Sequence, residues 1–161
     1  MVAPAESVRI LVVDDEPQLE RLVTMRFRQQ IRKGEFSFEF AGDGLEAIEK
    51  LRNNADISVV LSDINMPGMD GLTLLEKLQI NNRDMRCVII SAYGDMQNIR
   101  TAMSLGAYDF LTKPIDFDDL RTTLDKTIEE VHSLRKATET RQKLSHLEEL
   151  DALKSLSLIH I

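Results

Sequence analysis

Polar residues able to take part in chemistry follow four short apolar runs of the sequence. They are Asp14-Asp15 after Val8–Val13, Ser62-Asp63 after Ile57–Leu61, Ser91-Ala92 after Val88–Ile90, and Lys113-Pro114 after Tyr108–Thr112. If these runs are parallel strands, their C-terminal ends lie along one edge of a sheet, where open sheets of this kind bind ligands. The spacing therefore predicts that acids, a hydroxyl and a lysine converge on one site.

At such a site the carboxylates of Asp14, Asp15 and Asp63 would repel one another unless a cation or a lysine compensates their charge. Oxygen ligands without a nearby histidine or cysteine favour a hard divalent cation, Mg²⁺ or alternatively Mn²⁺, which joins carboxylates to phosphate oxygens. Lys113 is then able to meet the remaining phosphoryl oxygens. Asp14-Asp15 taken alone is more typical of a solvated turn or helix cap than of a metal site, so the prediction of a metal-assisted phosphoryl site depends on the convergence of all four pairs.

Apolar runs alternate with helical patterns from about Val8 to Thr112, which is typical of repeated strand-helix units around a parallel sheet. Continuous apolar runs indicate central strands that are covered on both faces. The segment Glu35–Phe40 alternates polar and aromatic residues and Tyr108–Thr112 is mixed, so both are predicted at the sheet edges. The first helix is expected from Pro17 to about Ile31, and Gly106 is expected to end the helix before the last strand.

From Phe117 onward the pattern changes to a long helix. Leucine or valine recurs in a three-four alternation at Leu120, Leu124, Val131 and Leu134, which resembles a coiled-coil seam. Past Thr138 the leucines continue in another phase. A helix from residue 117 to about 156 would extend roughly 60 Å, so we expect it to form a homodimer through a coiled coil.

The composition is that of a globular protein: 161 residues, 43% hydrophobic, 29% charged, with a formal charge of −7. No basic patch is visible in the sequence, so we expect no direct nucleic-acid binding. The single cysteine, Cys87, lies in an apolar run and is interpreted as a buried thiol, which excludes a disulfide framework within one chain. Neither a signal peptide nor an apolar run of membrane-spanning length is found, so no membrane partner and a cytoplasmic location are expected.

These patterns closely resemble the CheY-like response-regulator receiver family of two-component systems. The residues that carry the resemblance are Asp14-Asp15, the run Asp63-Ile64-Asn65-Met66-Pro67-Gly68-Met69-Asp70-Gly71, Ser91-Ala92 and Lys113-Pro114. The resemblance covers about Val8 to Glu130. It implies an α/β fold, a flavodoxin-like doubly wound five-stranded parallel sheet of order 2-1-3-4-5, followed here by the extended C-terminal helix. The domains expected are a tail at 1–7, a receiver at 8–130, the long helix at 117–156 and a tail at 157–161.

The resemblance also implies a role for each site residue. Asp63 would be the phosphoacceptor, served by a sensor histidine kinase or a phosphotransfer protein. Asp15 and Asp63 would bind Mg²⁺ through their carboxylates and Asn65 through its backbone carbonyl, while Asp14 would hold a metal-bound water. The remaining roles implied are phosphoryl binding by Lys113, closure onto the phosphoryl group by Ser91, an aromatic switch at Phe110, control of phosphoryl lifetime by Asn65 and Tyr93, and a cis bond before Pro114.

Three alternatives stay open at this point. A haloacid-dehalogenase-like phosphatase also uses a strand-end aspartate and magnesium, but it expects a second aspartate where Asn65 stands. A stand-alone receiver would act through protein contacts alone. We expect instead a fragment of a larger regulator whose output domain follows the long helix, and enzymatic activity limited to self-phosphorylation and autodephosphorylation.

Overall fold

The computed structural model describes residues 7–66, 68–81 and 84–159. The strands are β1 (Val8–Val13), β2 (Phe36–Ala41), β3 (Ile57–Asp63), β4 (Arg86–Ala92) and β5 (Asp109–Lys113). The helices are α1 (Pro17–Arg26), α2 (Arg28–Arg32), α3 (Gly44–Asn53), α4 (Gly71–Asn81), α5 (Met96–Ser104) and α6 (Phe117–Ile159). The chain divides into two compact units, one ending at Val131 and one beginning at His132, which are described separately.

In the first unit the five strands form one parallel sheet in the order β2-β1-β3-β4-β5. The predicted doubly wound fold and its strand order are therefore confirmed. β2 and β5 lie at the two edges, as the alternating and mixed patterns of their sequences indicated. β3 is buried along its whole length, which matches its continuous apolar sequence.

Helices cover both faces of the sheet. One core cluster joins the sheet to α3, α4 and α5 through residues such as Ala47, Leu75 and Ala102. The other joins it to α1 and the first turns of α6 through residues such as Val23 and Leu124. Because every strand presents alternate side chains to the two faces, this arrangement leaves the C-terminal ends of the strands as the open edge where polar residues collect.

The first helix is shorter than predicted. A turn at Phe27 separates α1 from α2, whereas the sequence pattern had indicated one helix through Ile31. The Phe27 ring is buried edge-on against Phe36 of β2, with 5.7 Å between ring centroids. The aromatic contact with the edge strand accompanies the break, and helical periodicity alone does not reveal it.

The second unit consists of the part of α6 from His132 to Ile159. The helix continues past residue 156, at which it was expected to end, and reaches Ile159. Residues 160 and 161 of the predicted tail lie outside the described residues. Of the predicted tail at 1–7, only Ser7 belongs to the described residues. Exposed leucines occur along this unit at Leu144, Leu147, Leu150 and Leu153. None of the described helices is long and apolar enough to cross a membrane.

Candidate functional site

The acidic residues of the predicted site come together at the C-terminal edge of the sheet. Asp14 and Asp15 directly follow β1, and Asp63 is the last residue of β3. One carboxylate oxygen from each of the three lies within 4.8 Å of the others. Asp63 is buried and Asp15 is exposed, so the cluster extends from the core to the surface. The predicted convergence of these acids is confirmed.

Lys113 ends β5 and reaches across the edge of the sheet to the acids. Its Nζ donates a hydrogen bond of 2.8 Å to Asp63 Oδ2 and lies 3.9 Å from Asp14 Oδ2. Burial lowers the pKa of Lys113, but the hydrogen bond and charge of Asp63, together with the charge of Asp14, raise it above the ordinary value. Lys113 therefore carries a positive charge at neutral pH. The peptide bond between Lys113 and Pro114 is cis, as predicted.

The carboxylate of Asp14 is buried beside the charged groups of Asp63 and Lys113. Its side chain is only 4% exposed, and its Oδ1 accepts a 2.8 Å hydrogen bond from the backbone N–H of Glu16. Burial raises the pKa of Asp14, and the charge of Asp63 adds to that increase, while the Glu16 hydrogen bond and Lys113 oppose it. The site holds more negative charge than Lys113 compensates.

Ser91, the penultimate residue of β4, is fully buried. Among the described residues, no hydrogen-bond partner is found for its Oγ. A buried hydroxyl without a partner is energetically costly, on the order of 1–3 kcal/mol. The neighbouring residue Ala92 pairs in register with Lys113, so Ser91 lies beside the end of the strand that delivers the lysine.

The other predicted site residues lie around this group. The backbone N–H of Asn65 donates a 3.1 Å hydrogen bond to Asp63 Oδ1, and the Asn65 side chain is exposed. Tyr93 is 86% exposed, and Phe110 of β5 is 37% exposed. The carboxylate and lysine cluster is thus assembled, whereas Tyr93 and Phe110 lie outside it. Pro67, part of the predicted signature, lies outside the described residues.

The family model of the response regulator receiver domain matches residues 10–125 of the sequence. This chain belongs to the response regulator receiver family. The match covers the five strands and the site, and it decides against the dehalogenase-like alternative. Receiver domains of two-component systems pair with histidine kinases or phosphotransfer proteins and generally depend on Mg²⁺.

Curated relatives agree with this assignment. The chain is 32% identical over 130 residues to the transcriptional regulatory protein ZraR of Escherichia coli, covering 80% of this chain but only 28% of ZraR. It is 31% identical over 118 residues to sporulation initiation phosphotransferase F of Bacillus subtilis, covering 73% of this chain and 91% of that protein. A response regulator receiver domain protein from Clostridium thermocellum has a similar structure, with a TM-score of 0.71 and 26% identity over 79% of this chain and 98% of that one.

Close contacts require glycine at positions 71 and 44, which were not predicted as important from the sequence. Gly71 opens α4 close to the end of β3, and a Cβ at this position would lie 2.3 Å from the carbonyl oxygen of Asp63. The Gly71 N–H donates a 2.8 Å hydrogen bond to the carbonyl of Ile64. A Cβ on Gly44, the first residue of α3, would lie 2.9 Å from Cβ of Met69 in the loop after β3. The sequence does carry a sign of this requirement. In Asp43-Gly44 and in Asp70-Gly71 the glycine directly follows a helix-capping aspartate, at a position where no turn requires glycine.

Proposed function

We propose that the receiver accepts a phosphoryl group on Asp63 from a histidine kinase or a phosphotransfer protein, with Mg²⁺ or Mn²⁺ bound by the adjacent acids. The observation that carries the proposal is the contact between the buried Asp63 carboxylate and the Lys113 ammonium at 2.8 Å, inside a group of three carboxylates. One fixed cation opposite three acids leaves net negative charge. A divalent cation would offset that charge, and with Lys113 it would face the oxygens of an incoming phosphoryl group.

The residues present fit a hard metal ion. Asp14, Asp15 and Asp63 offer oxygen ligands only, and the Asn65 carbonyl is the fourth candidate ligand. When bound, the ion supplies positive charge that neutralises the oxygens of the transferred group. The raised pKa of Asp14 supports the proposal, because a cation would offset the desolvation cost of the buried carboxylate and its repulsion by Asp63.

In the transfer step, a carboxylate oxygen of Asp63 forms a bond to phosphorus while the bond between phosphorus and the donor imidazole nitrogen breaks. The electron pair of that bond stays on the imidazole. Asp63 needs no proton removed, because the carboxylate is the nucleophile. Lys113 stabilises negative charge on the transferred oxygens, and positioning rather than covalent activation supplies most of the catalysis.

The buried Ser91 hydroxyl supports a switch. Its Oγ lacks a partner among the described residues, so a phosphoryl oxygen at Asp63 would supply the missing hydrogen bond. We propose that Ser91 closes onto the phosphoryl group and that Phe110, now partly exposed, moves inward as the β4 end shifts. Asn65 and Tyr93, both exposed at the rim, are proposed to control the access of water and hence the phosphoryl lifetime.

The proposed domains are a receiver at 8–130 and a signalling helix at 117–156, which forms a homodimeric coiled coil beyond Val131. The predicted seam does not include Leu120, Leu124 and Val131, because all three are buried in the core of the first unit. The exposed leucines between Leu144 and Leu153 support a partner helix along this segment.

Coverage of only 28% of ZraR supports a further output domain in the whole protein, while coverage of 91% of sporulation initiation phosphotransferase F supports a stand-alone receiver. A direct test is the length of the gene product in its native host.

The phosphoryl-acceptor proposal is tested with phosphoramidate, a small donor whose phosphorus is bonded to nitrogen. Intact-mass spectrometry should detect a phosphorylated species with Mg²⁺ and none with EDTA. Asp63→Asn should abolish the gain in mass, whereas Asp125→Asn, which removes an exposed carboxylate of α6, should retain it. Equal phosphorylation of the wild type and Asp63→Asn would reject Asp63 as acceptor.

A further inference from the structure

A polar cleft of the first unit is lined by the end of α1, the start of α2 and the first turns of α6. Its cavity volume is about 410 Å³. The residues that define its chemistry are Arg26, Arg28, Gln30, Phe117, Asp118 and Arg121. Three arginines from two distant parts of the sequence thus line one cleft with a single acid.

This concentration of positive charge runs against the character of the chain. The formal charge of the whole protein is −7, yet the segment Arg26-Phe27-Arg28-Gln29-Gln30-Ile31-Arg32-Lys33 holds four basic residues and no acid. The structure adds Arg121 from α6 to this segment. The expectation of no basic patch is wrong for this run, which is continuous in the sequence, and Arg121 comes near it only through the fold.

The arginines are available to a ligand. Arg28 has no ion-pair partner among residues 7–66, 68–81 and 84–159. Arg26 lies 3.7 Å from Asp118 and Arg121 lies 4.0 Å from Asp125, and the two arginine side chains are 59% and 60% exposed. Exposed pairs at these separations are weak, contributing about 0–1 kcal/mol, so an anionic ligand can compete for both guanidinium groups.

Gln30 lines the same cleft, but its Oε1 is buried, and no hydrogen-bond partner for it is found within the described part of the chain. A buried oxygen is out of reach of a ligand in the cleft, so the arginines alone carry the recognition. The planar guanidinium groups match phosphate oxygens in paired hydrogen bonds.

We propose that this cleft binds a small organic phosphate that carries at least two negative charges. Arg28 and Arg121 bind the phosphate oxygens. Arg26, whose guanidinium carbon lies 6.0 Å from the centroid of the Phe117 ring, closes one side. The cleft shares no residue with the carboxylate site, so the proposal does not depend on phosphorylation of Asp63.

The test is titration of ¹⁵N-labelled full chain with fructose 1,6-bisphosphate in EDTA, followed by amide shifts and calorimetry. Shifts are expected at residues 26–30 and 121. The double variant Arg28→Gln/Arg121→Gln should bind at least about tenfold more weakly, the effect of losing charge-assisted hydrogen bonds. The control Arg52→Gln/Arg100→Gln removes the same charge from exposed arginines of α3 and α5 and should bind as the wild type does.

Three results would overturn the proposal. Equal weakening in both double variants would show that overall charge attracts the anion. Shifts centred on Asp63 and Ser91, lost in Lys113→Gln, would assign binding to the phosphoryl site instead. Sedimentation of the chain with phosphatidylglycerol vesicles, but not phosphatidylcholine vesicles, in the absence of bisphosphate binding would replace the soluble ligand by a lipid headgroup. The midpoint of thermal unfolding of each arginine double variant should lie within a few degrees of that of the wild type, because the substituted arginines are exposed.

Discussion

Replacing Asp14 by asparagine removes one of the three clustered carboxylates while keeping an oxygen to accept the Glu16 N–H. The ionised Asp14 lies within 4.8 Å of Asp63 and 3.9 Å from the Lys113 ammonium. With an effective dielectric constant of about 20, these distances correspond to about 3.5 kcal/mol of repulsion and about 4.3 kcal/mol of attraction. The two nearly cancel, so burial and the additional repulsion from Asp15 decide the sign.

Burial raises the pKa of Asp14 above 3.8, so the folded state binds a proton at this group more tightly than the unfolded state. Ionised Asp14 therefore opposes folding at neutral pH, and this penalty disappears as the pH falls toward 3.8. Without divalent metal, Asp14→Asn should increase the free energy of unfolding by on the order of 1 kcal/mol near neutral pH. The increase should shrink in acid.

The sign should change when Mg²⁺ is added. A cation that binds only the folded state stabilises it by mass action, and the variant loses part of that binding. Urea unfolding followed by circular dichroism, in EDTA and in millimolar MgCl₂, measures both effects, with Asp125→Asn as the exposed control. Destabilisation of Asp14→Asn in EDTA, or equal stabilisation of variant and wild type by Mg²⁺, would refute the electrostatic reasoning.

Other substitutions test the scaffold. Gly71→Ala should lower the free energy of unfolding by at least about 2 kcal/mol, because the added Cβ would clash with backbone atoms. Gly42→Ala is the control: its Cβ would contact only the end of a side chain, at 3.4 Å, so the same urea titration should show little change. Leu124→Ala should cost about 2–5 kcal/mol, since the side chain is buried between α6 and the sheet; a loss below about 1 kcal/mol would argue against that packing. Leu147→Ala should leave the unfolding of the first unit unchanged and weaken self-association in sedimentation equilibrium, and a wild type that stays monomeric at tens of micromolar would contradict the coiled coil.

The sequence predicted the sheet well because burial leaves a direct pattern in strands. The continuous apolar run of β3 and the polar-aromatic alternation of β2 identified a central and an edge strand, and the parallel connections then brought Asp63 and Lys113 to one edge. Residue types at strand ends were enough to predict a cation site. The parallel topology then brings the acids and the lysine together in one cluster.

Features that depend on close approach between distant segments were not predictable in this way. The turn at Phe27 accompanies contact with β2, and the requirement for Gly71 depends on the position of the Asp63 carbonyl. The Ser91 hydroxyl, for which the described residues offer no partner, and the arginine cleft at Arg121 likewise depend on tertiary packing. Helical and strand periodicity carry no information about such distances.

The central claim is that Asp63 is the nucleophile at this edge of the sheet. An acyl phosphate on an aspartate is reduced by borohydride to homoserine, so peptide sequencing of the phosphorylated and reduced chain identifies the acceptor directly. The expected result is homoserine at position 63 alone, formed only when Mg²⁺ was present during phosphorylation. Homoserine at position 14 or 15, or a phosphorylated chain without any homoserine, would contradict the proposed chemistry.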